Sequence, residues 1–416
     1  MFFKVKTSEE VLEILKGFDP VGTEVVHIED ALNRVLSGQI VSEEDMPNFS
    51  RSSMDGYAVR AKDTFGASDS LPAFLELKGE VIMGGTPTDR VVPGTAVRIS
   101  TGGMIPEGAD AVVMIEHCQS MDDKTIEVCR SVAPLENVIA RGDDLRAGTI
   151  VFGKGSILRP QDIGLIAGLG VETIPVYKRP TVGIISTGDE VIPIDQRPRP
   201  GQVRDINSYT LGAFCRQRGA IPMNMGVCKD DFDEMRETVG RVLNACDTVW
   251  ISGGSSVGAR DMTVKVLESF AEARLLVHGI AISPGKPTII ARIGAKALFG
   301  LPGHVASAMV VAEIFLAPFL SVLSGERRSS GDGHLYRQAE LERNVESASG
   351  RDDYIRVRLN KREGRLFAEP IFGKSGLIST LVDAQGLVKI DRNTEGIYQG
   401  QTVEVMLFTP SRGEAW

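Results

Sequence analysis

The chain has 416 residues, of which 42% are hydrophobic and 24% charged, and it carries a formal net charge of −9. At roughly 150 residues per domain this length predicts about two to four domains, and the negative charge argues against nonspecific binding to nucleic acid, which requires lysine and arginine at the phosphates. No stretch approaches the roughly 20 uninterrupted apolar residues of a membrane span, and the start of the sequence lacks the apolar segment of an export signal. We therefore expect a cytoplasmic protein that binds neither membranes nor nucleic acid.

The five cysteines are odd in number, scattered and without CxxC spacing. This pattern predicts neither a disulfide framework nor a zinc site. We expect reduced thiols that are mostly buried.

Two helical patterns open the chain. Thr7 and Glu10 form the pattern of a capping box, and the apolar face that follows predicts a helix over about 8–16. The run HIEDALNRVL predicts a second helix. The next segment, SEEDMPNFSRSSMDGYAVR, is rich in turn-forming residues, and we expect it to be a loop.

A β-rich domain is predicted between Leu71 and about Val138. Short runs typical of strands (FLELKGEVIM, TAVRIS, DAVVMIE and KTIEV) alternate there with Gly, Pro and Asp. The residues that follow predict a link, a hairpin and a short helix that begins near Pro160. If these elements pack with the N-terminal helices, the β-rich segment is an insertion.

The segment after Pro180 alternates strands with helices. The strand-like runs are TVGIISTGDEV, TVWISGG, the hairpin-like AISPGKPTIIARI and ALFGLPG, and helices are predicted near SYTLGAFCRQRG, DDFDEMRETVGRVLNAC, MTVKVLESF and HVASAMVVAEIFLAPFLSVL. This order predicts a mainly parallel α/β sheet, in which ligands collect at the carboxyl ends of the strands. Five later runs (YRQAELE, DYIRVRLN, RLFAEPI, GLVKI and TVEVMLF) predict a C-terminal β-barrel or sandwich of about 85 residues.

Three loops at predicted strand ends are candidates for a binding site. Small residues let the backbone approach a ligand, and carboxylates beside them fit a metal-assisted reaction at a phosphate. Each loop alone could equally be an ordinary turn, with its carboxylates serving as helix caps or solvated charges. The candidates are Thr187, Gly188, Asp189 and Glu190 in the first loop, Gly253, Gly254, Ser256, Gly258 and Asp261 in the second, and Pro302 and Gly303 in the third.

Four single residues are further candidates. Asp55 and Thr101 would supply a metal or oxyanion ligand and a hydrogen-bond donor if they face a cleft, although both fit ordinary turns. Lys286, in a Pro-Gly-Lys-Pro run, is either a solvated hairpin tip or a point charge for a phosphate. His304 begins the long predicted helix and fits a cap or packing residue better than a ligand.

Seven motifs carry a family resemblance. Taken in order, SRSSMDGYAVR, RISTGGMIPEGADAVV, GDDLRAG, STGDEV, SGGSSVGARD, PGKP and GLPG resemble the molybdopterin molybdenumtransferases, the family that includes the C-terminal domain of gephyrin. The match covers nearly the whole chain. The resemblance implies a multidomain α/β plus β protein: a discontinuous, elongated helical domain (1–45 and 143–178), an inserted β-rich domain (46–142), an α/β domain similar to molybdopterin adenylyltransferase (179–328) and a C-terminal β-barrel (329–416).

The resemblance also implies an activity. Members of the family convert adenylylated molybdopterin and molybdate into molybdenum cofactor and AMP, with a divalent cation that is usually Mg²⁺. They form homodimers whose active site lies between the α/β domain of one subunit and the inserted domain of the other. A molybdopterin adenylyltransferase is the partner enzyme that this pathway suggests.

Residue roles follow from the motifs that match. Asp55, Thr101, Glu190 and Asp261 would be catalytic, and Glu190 and Asp55 would hold Mg²⁺. Carboxylates suit that cation, which offsets phosphate charge, while soft dithiolene sulfurs suit molybdenum. The substrate-binding residues would be Asp144, Thr187, Gly188, Asp230, Gly253, Gly254, Ser256, Gly258, Lys286, Pro302, Gly303 and Ser375.

The sequence departs from the family pattern in three places. Two basic residues ahead of PGKP are replaced by Gly279 and Ser283, Asn-Pro after GLPG is replaced by His304 and Val305, and Arg141 alone remains of consecutive arginines near GDD. All three changes fall where an oxyanion would bind. They indicate either subfamily drift, in which His278, Lys286 and backbone donors do the same work, or an altered choice of anion, for instance tungstate instead of molybdate, or weaker oxyanion binding.

Two other functions stay open. The α/β segment alone would fit adenylyltransfer to molybdopterin, although the additional domains and the Asp55 motif favour metal insertion. A noncatalytic pterin-binding scaffold would have to explain why Asp55, Thr101, Glu190 and Asp261 are all present.

Overall fold

The structure is a computed structural model that describes residues 5–253, 257–327 and 334–408, without the side chains of 257–261. The chain divides into two compact units. The larger unit comprises Met1–Gly38, Lys154–Ile163 and Thr173–Trp416, and the inserted unit comprises Gln39–Gly153 and Gly164–Glu172. The two segments of the inserted unit thus interrupt the larger unit along the sequence, while the four predicted domains and their boundaries stay a prediction.

Helix α1 (Ser8–Lys16) begins at the predicted capping box. The Thr7 hydroxyl accepts the Glu10 N–H at 3.2 Å, and the Glu10 carboxylate accepts the Thr7 N–H at 2.8 Å. These reciprocal bonds satisfy two of the N–H groups that a helix start leaves unpaired. The predicted helix is confirmed.

The second predicted helix is wrong. Strand β1 (Thr23–His27) is followed only by a 3₁₀ turn at Ile28–Asp30. Asn33 has a φ of +60°, which interrupts a right-handed helix, and Leu36 bridges to Val176 in an extended conformation. Long-range strand pairing therefore overrides the helical pattern.

A six-stranded sheet of order β7-β4-β6-β5-β9-β8 dominates the inserted unit. The predicted strands are confirmed, but the predicted loop contains β4, all four residues of which are buried. The predicted hairpin is also wrong, because β11 pairs with β2, far back in the sequence. The strands are β2 (Ile40–Val41), β3 (Arg51–Ser52), β4 (Gly56–Val59), β5 (Ala73–Glu80), β6 (Thr95–Ile99), β7 (Ala111–Met114), β8 (Cys118–Ser120), β9 (Thr125–Val128), β10 (Val138–Ile139) and β11 (Ile150–Phe152).

Helix α2 (Pro160–Gly168) follows, as predicted, and strand β12 (Thr173–Tyr177) pairs antiparallel with β1. The α/β sheet comes next along the chain. Its elements are β13 (Thr181–Thr187), β14 (Val191–Ile192), β15 (Val203–Arg204), α3 (Asn207–Gln217), β16 (Ile221–Cys228), α4 (Phe232–Ala245), β17 (Thr248–Ser252), α5 (Val257–Glu268), β18 (Ala273–His278), β19 (Ile282–Ser283), β20 (Ile289–Ile293) and β21 (Lys296–Leu301).

The order of this sheet is β16-β13-β17-β21-β20-β18. The strands from β16 to β21 are parallel, and β20 runs antiparallel to both of its neighbours, so the predicted mainly parallel sheet is confirmed. The sequence missed the edge strands β16 and β18, each of which has only one buried residue. The predicted AISPGKPTIIARI hairpin is wrong, because β19 pairs with the C-terminal domain instead of β20.

The long apolar helix is confirmed as three consecutive parts: α6 (Val305–Val311), a π-helical turn at Ala312–Leu316, and α7 (Ala317–Leu323). It is long and apolar enough to cross a membrane, but 78% of it is buried inside the protein. The Phe299 and Phe319 rings lie 5.0 Å apart between the sheet and this helix. Its apolar surface thus forms the core of the larger unit.

The C-terminal strands form a closed barrel in the order β24-β25-β22-β28-β26 and back to β24, which confirms the predicted barrel. The five cysteines are free, and three of them are buried. The C-terminal elements are β22 (Tyr336–Leu341), β23 (Val345–Glu346), β24 (Asp352–Arg362), β25 (Arg365–Pro370), α8 (Ser379–Val382), β26 (Gly386–Ile390), β27 (Gly396–Ile397) and β28 (Thr402–Leu407).

Candidate active site

A cavity of about 320 Å³ opens at the carboxyl ends of β13, β17 and β21, where ligands of parallel sheets collect. Its lining includes four predicted residues, Thr187, Glu190, Gly253 and Gly303. Gly188 and Pro302 lie next to this lining in the sequence. The three predicted loops therefore meet at one place, as the parallel sheet requires.

Gly253 allows two of these loops to approach closely. It has a φ of +146°, and a Cβ at this position would lie 2.2 Å from the backbone oxygen of Thr187. No side chain fits at that distance. The Gly in the motif is thus required by the contact between two strand ends, in addition to any contact with a ligand.

Three carboxylates gather beside the cavity: Asp189 and Glu190 after β13, and Asp230 after β16. The Asp230 N–H donates to Asp189 Oδ1 at 3.4 Å. Burial raises the pKa of Asp230, and the negative charges of Asp189 and Glu190 raise it further. Asp230 Oδ1 is buried and has no hydrogen-bond partner within the described residues. The group thus combines mutual repulsion with an unsatisfied oxygen, which favours a bound cation or proton.

Two site residues, Asp205 and Asn207, were missed from the sequence. Asp205 is buried, accepts the Ser186 hydroxyl at 2.8 Å and accepts the Ser208 N–H at 3.1 Å. Asn207 donates to Ser252 Oγ at 2.7 Å and to the Gly303 carbonyl at 2.9 Å, which ties two of the cavity loops together. The Asp three residues ahead of Ser208 is a helix-start signal that could have drawn attention to this segment.

The cavity also presents the guanidinium of Arg204, which the motifs did not predict, and the imidazole of His304, one of the departures from the family pattern. Arg204 lines it, and its Nε donates to the carbonyl oxygens of Ile194 and Gln196, both at 3.1 Å. His304 lines it as well, and its Nδ1 lies 2.8 Å from the hydroxyl of Ser375. Ser375 thus reaches this end of the sheet from the C-terminal domain, as the resemblance implied.

Asp55 and Thr101 are brought together in the inserted unit. Asp55 Oδ1 accepts the Thr101 N–H at 2.6 Å and the Thr101 hydroxyl at 3.0 Å. The backbone bond lowers the pKa of Asp55 most, and the hydroxyl lowers it further. Asp144 is exposed in a turn of the same unit, where its N–H donates to the Met46 carbonyl at 3.0 Å.

Lys286 is exposed in a turn after β19 and does not line the cavity. Gly279, one of the departures from the family pattern, has a φ of +95°. This conformation is strained for any residue with a side chain, which accounts for a glycine where a basic residue was expected.

Several predicted residues cannot be assigned a geometry. Gly254 and Ser256 lie outside the described residues. Gly258 and Asp261 lie in α5, where the helix is described but the Asp261 side chain is not. Within the described ranges, no three His, Cys, Asp or Glu side chains are grouped so that they could hold a metal ion by themselves.

Three family descriptions match consecutive parts of the chain. The MoeA N-terminal region (domain I and II) matches residues 6–170, a probable molybdopterin binding domain matches 183–322, and the MoeA C-terminal region (domain IV) matches 338–408. The molybdopterin molybdenumtransferase of Bacillus subtilis is 32% identical over 95% of this chain and 92% of its own length. The chain belongs to the molybdopterin molybdenumtransferase family.

Two further comparisons support this family membership. The molybdopterin molybdenumtransferase of Haemophilus influenzae is 31% identical over 94% of this chain and 95% of its own length. A crystal structure of the molybdopterin biosynthesis MoeA protein from Pyrococcus horikoshii matches with a TM-score of 0.84 and 32% identity, over 97% of this chain and all of that one. This molybdenumtransferase is therefore an enzyme of molybdenum cofactor biosynthesis, with the multidomain fold that the sequence predicted.

Proposed function

We propose that this molybdenumtransferase acts on adenylylated molybdopterin and molybdate, and that it releases AMP in an Mg²⁺-dependent reaction. The observation that carries the proposal is the group of Asp189, Glu190 and Asp230 beside the cavity, in which Asp230 has a raised pKa. Such a group is stabilised by a divalent cation. The nearby Arg204 and the strand-end backbone suit an anionic substrate.

Mg²⁺ fits these residues as a cation shared with the substrate. Mg²⁺ usually keeps several waters and takes one or two carboxylates together with phosphate oxygens. This mode agrees with the lack of a ready-made metal cluster in the described part of the chain. Glu190, which lines the cavity, and Asp55, as the family motifs imply, would hold the cation. Asp230, whose Oδ1 has no hydrogen-bond partner among the described residues, is a further candidate ligand. When bound, Mg²⁺ offsets the negative charge of the phosphates during P–O cleavage.

Other residues would bind and orient the substrate. Thr187, Gly253 and Gly303 offer backbone groups at the cavity, and Asn207 fixes the distance between two of its loops. Asp55 would act as an anion, because the two hydrogen bonds from Thr101 stabilise its charge. Roles for Asp144, Asp261 and Lys286 rest on the family motifs alone and are part of the proposal.

The reaction itself provides the test. Purified protein would be incubated with adenylylated molybdopterin, Mg²⁺ and molybdate, and AMP would be measured by chromatography. We expect AMP release that EDTA abolishes. An adenylyltransferase would instead form adenylylated molybdopterin from ATP and molybdopterin, and a scaffold would bind the pterin without turnover. Replacing molybdate by tungstate tests the choice of oxyanion, because equal rates and half-saturation would dismiss a preference for either.

We also propose a cytoplasmic homodimer in which each active site takes residues from both subunits, supplied with substrate by a molybdopterin adenylyltransferase. The support is the family resemblance. Light scattering would give the subunit number. Mixed dimers of the inactive Asp55→Ala and Glu190→Ala variants should recover about a quarter of the wild-type activity, because half of the dimers would contain one intact site of two. No recovery in verified mixed dimers would contradict the shared site and leave the reaction itself untouched.

A further inference from the structure

His304 occupies a helix-cap position without capping the helix. Helix α6 begins at Val305, and His304 has the extended backbone of an N-cap residue, but its side chain makes no cap hydrogen bond. Residues at this position are ordinarily Ser, Thr, Asp or Asn, whose side-chain oxygen accepts an N–H of the first turn. The helix therefore gives no reason for an imidazole here.

Ser375 supplies both the cap and the orientation of the ring. Its carbonyl oxygen accepts the Ala306 N–H at 3.0 Å, and its hydroxyl lies 2.8 Å from His304 Nδ1. Gly376 lies beside the other edge of the ring, where an added Cβ would be in ordinary contact, 3.7 Å from His304 Cδ2 and 4.0 Å from Nε2. The C-terminal domain thus fixes the imidazole through Nδ1.

The other ring nitrogen, Nε2, is free to serve as a donor in two of the three forms of the ring. When the Ser375 hydroxyl donates to Nδ1, the neutral imidazole carries its hydrogen on Nε2, and the protonated ring carries hydrogens on both nitrogens. Among the described residues, the His304 side chain makes one hydrogen bond, and it does so through Nδ1. Nε2 therefore carries an N–H in the protonated ring and in the neutral tautomer in which the Ser375 hydroxyl donates to Nδ1.

The cavity is where this donor would be used. His304 lines it together with Gly303 and Gly376, and Arg204 adds a cation to the same lining. An N–H donor and a guanidinium that line one small cavity suit a tetrahedral oxyanion. We infer that His304 binds an oxyanion of the substrates through Nε2, and that Ser375 is the positioning residue that orients the ring.

This inference rests on the proposed function and names one contact within it. The oxyanion has two possible sources, molybdate and the phosphate that becomes AMP, and both offer the same oxygen acceptors. Two measurements separate them. The first is the half-saturation of AMP release for molybdate and for adenylylated molybdopterin. The second is equilibrium dialysis of the protein with molybdate alone and with AMP alone.

Three variants and a control test the contact. His304→Asn replaces the imidazole by an amide that ends at the level of Nδ1, short of the position of Nε2, and it supplies a good N-cap, so the helix should be at least as stable. His304→Gln keeps an N–H donor on a side chain of similar reach, and Ser375→Ala removes the hydroxyl but keeps the carbonyl cap. His27→Asn is the matched control, because His27 is an exposed histidine that does not line the cavity.

We expect His304→Asn to weaken binding of one of the two anions about tenfold, as loss of a hydrogen bond to a charged group does. The rate at saturation should change less than the half-saturation. Ser375→Ala should weaken the same anion by a smaller factor, His304→Gln should recover part of the loss, and His27→Asn should match the wild type.

The outcomes separate this inference from the proposed function. If molybdate binding alone weakens, the contact is to the metal oxyanion, and if AMP binding alone weakens, it is to the phosphate. Wild-type AMP release with unchanged binding of both anions in His304→Asn would overturn the inference while the proposed function stands. No AMP release by the wild-type protein would overturn the proposed function, and the dialysis arms would still decide whether His304 binds an anion.

Discussion

Asp55 in the inserted unit and Asp230 at the edge of the α/β sheet have pKa values that are shifted in opposite directions. Asp55 receives two hydrogen bonds from Thr101, which lower its pKa. Asp230 is partly buried beside Asp189 and Glu190, and its pKa is raised. The protein itself therefore stabilises Asp55 as an anion. At the sheet edge, burial and the charges of Asp189 and Glu190 favour the protonated form of Asp230.

The difference separates two ways to build an acidic site. A carboxylate with its own donors has a fixed charge and a fixed direction, which suits a group that orients or repels a substrate. Carboxylates that repel each other store unfavourable energy that a cation releases on binding, which suits a metal-dependent step. The predictions below test this contrast.

The largest effect is expected from loss of either acidic group. Asp55→Ala and Glu190→Ala should each lower the rate of AMP release by about a hundredfold or more, since each removes a charge that the site needs. Both residues are exposed in loops, so the free energy of unfolding should change much less than the rate, although Asp55→Ala also removes the acceptor of the two Thr101 hydrogen bonds. Glu237→Ala and Asp123→Ala, exposed carboxylates outside the candidate site, are matched controls. Wild-type turnover in either test variant would remove that residue from the site.

Gly253→Ala should lower both stability and activity. The new Cβ would clash with the Thr187 carbonyl, and moving the two loops apart should cost about 1–3 kcal/mol in unfolding free energy by chemical denaturation. Gly201→Ala is the control, since Gly201 also has a positive φ but open space around it. An equal loss in both variants would mean that the backbone conformation matters and the loop contact does not.

Mg²⁺ should stabilise the sheet-edge group. In thermal unfolding, Mg²⁺ should raise the unfolding temperature of the wild-type protein, because a ligand that binds only the folded state stabilises it. Asp230→Asn should reduce that increase, because the cation loses a negatively charged ligand. An identical increase in both proteins would show that Asp230 does not contribute to Mg²⁺ binding.

Without a metal, Asp230→Asn should have the opposite effect. The raised pKa means that the charged form of Asp230 destabilises the folded protein. This penalty is fully present above the folded pKa of Asp230. The variant should therefore unfold at a temperature about 1 °C higher at neutral pH. The advantage should shrink as the pH falls through the folded pKa and vanish below about pH 4, where the unfolded chain is protonated as well. If the difference in unfolding temperature stayed constant across the pH range, the charge of Asp230 would not be its cause.

The smallest effect is expected from Thr101→Val. This change removes the hydroxyl donor and keeps the stronger backbone donor, so the pKa of Asp55 should rise a little and stay below the usual aspartate range. Carbon-detected NMR titration of the carboxyl group would measure it. A pKa at or above the ordinary value would show that the backbone bond does not stabilise the charge.

The sequence alone determined the features that depend on nearby residues. The capping box at Thr7 and Glu10, the alternation of strands and helices after Pro180 and the strands of the C-terminal barrel could all be predicted, because a cap or a periodic apolar face is a local property. The order of the motifs was sufficient to identify the family. Glu190, Gly253 and Gly303 could be proposed together because the ends of parallel strands meet at one edge.

The tertiary structure decided what depends on distant neighbours. Strand β4 is buried throughout and therefore lacks the alternation of a half-exposed strand, and the helix predicted after β1 gives way to pairing with residues more than a hundred positions later. The raised pKa of Asp230 and the contact between His304 and Ser375 also belong to this class. Burial, charge repulsion and hydrogen-bond geometry are set by which segments pack together, and no local pattern records them.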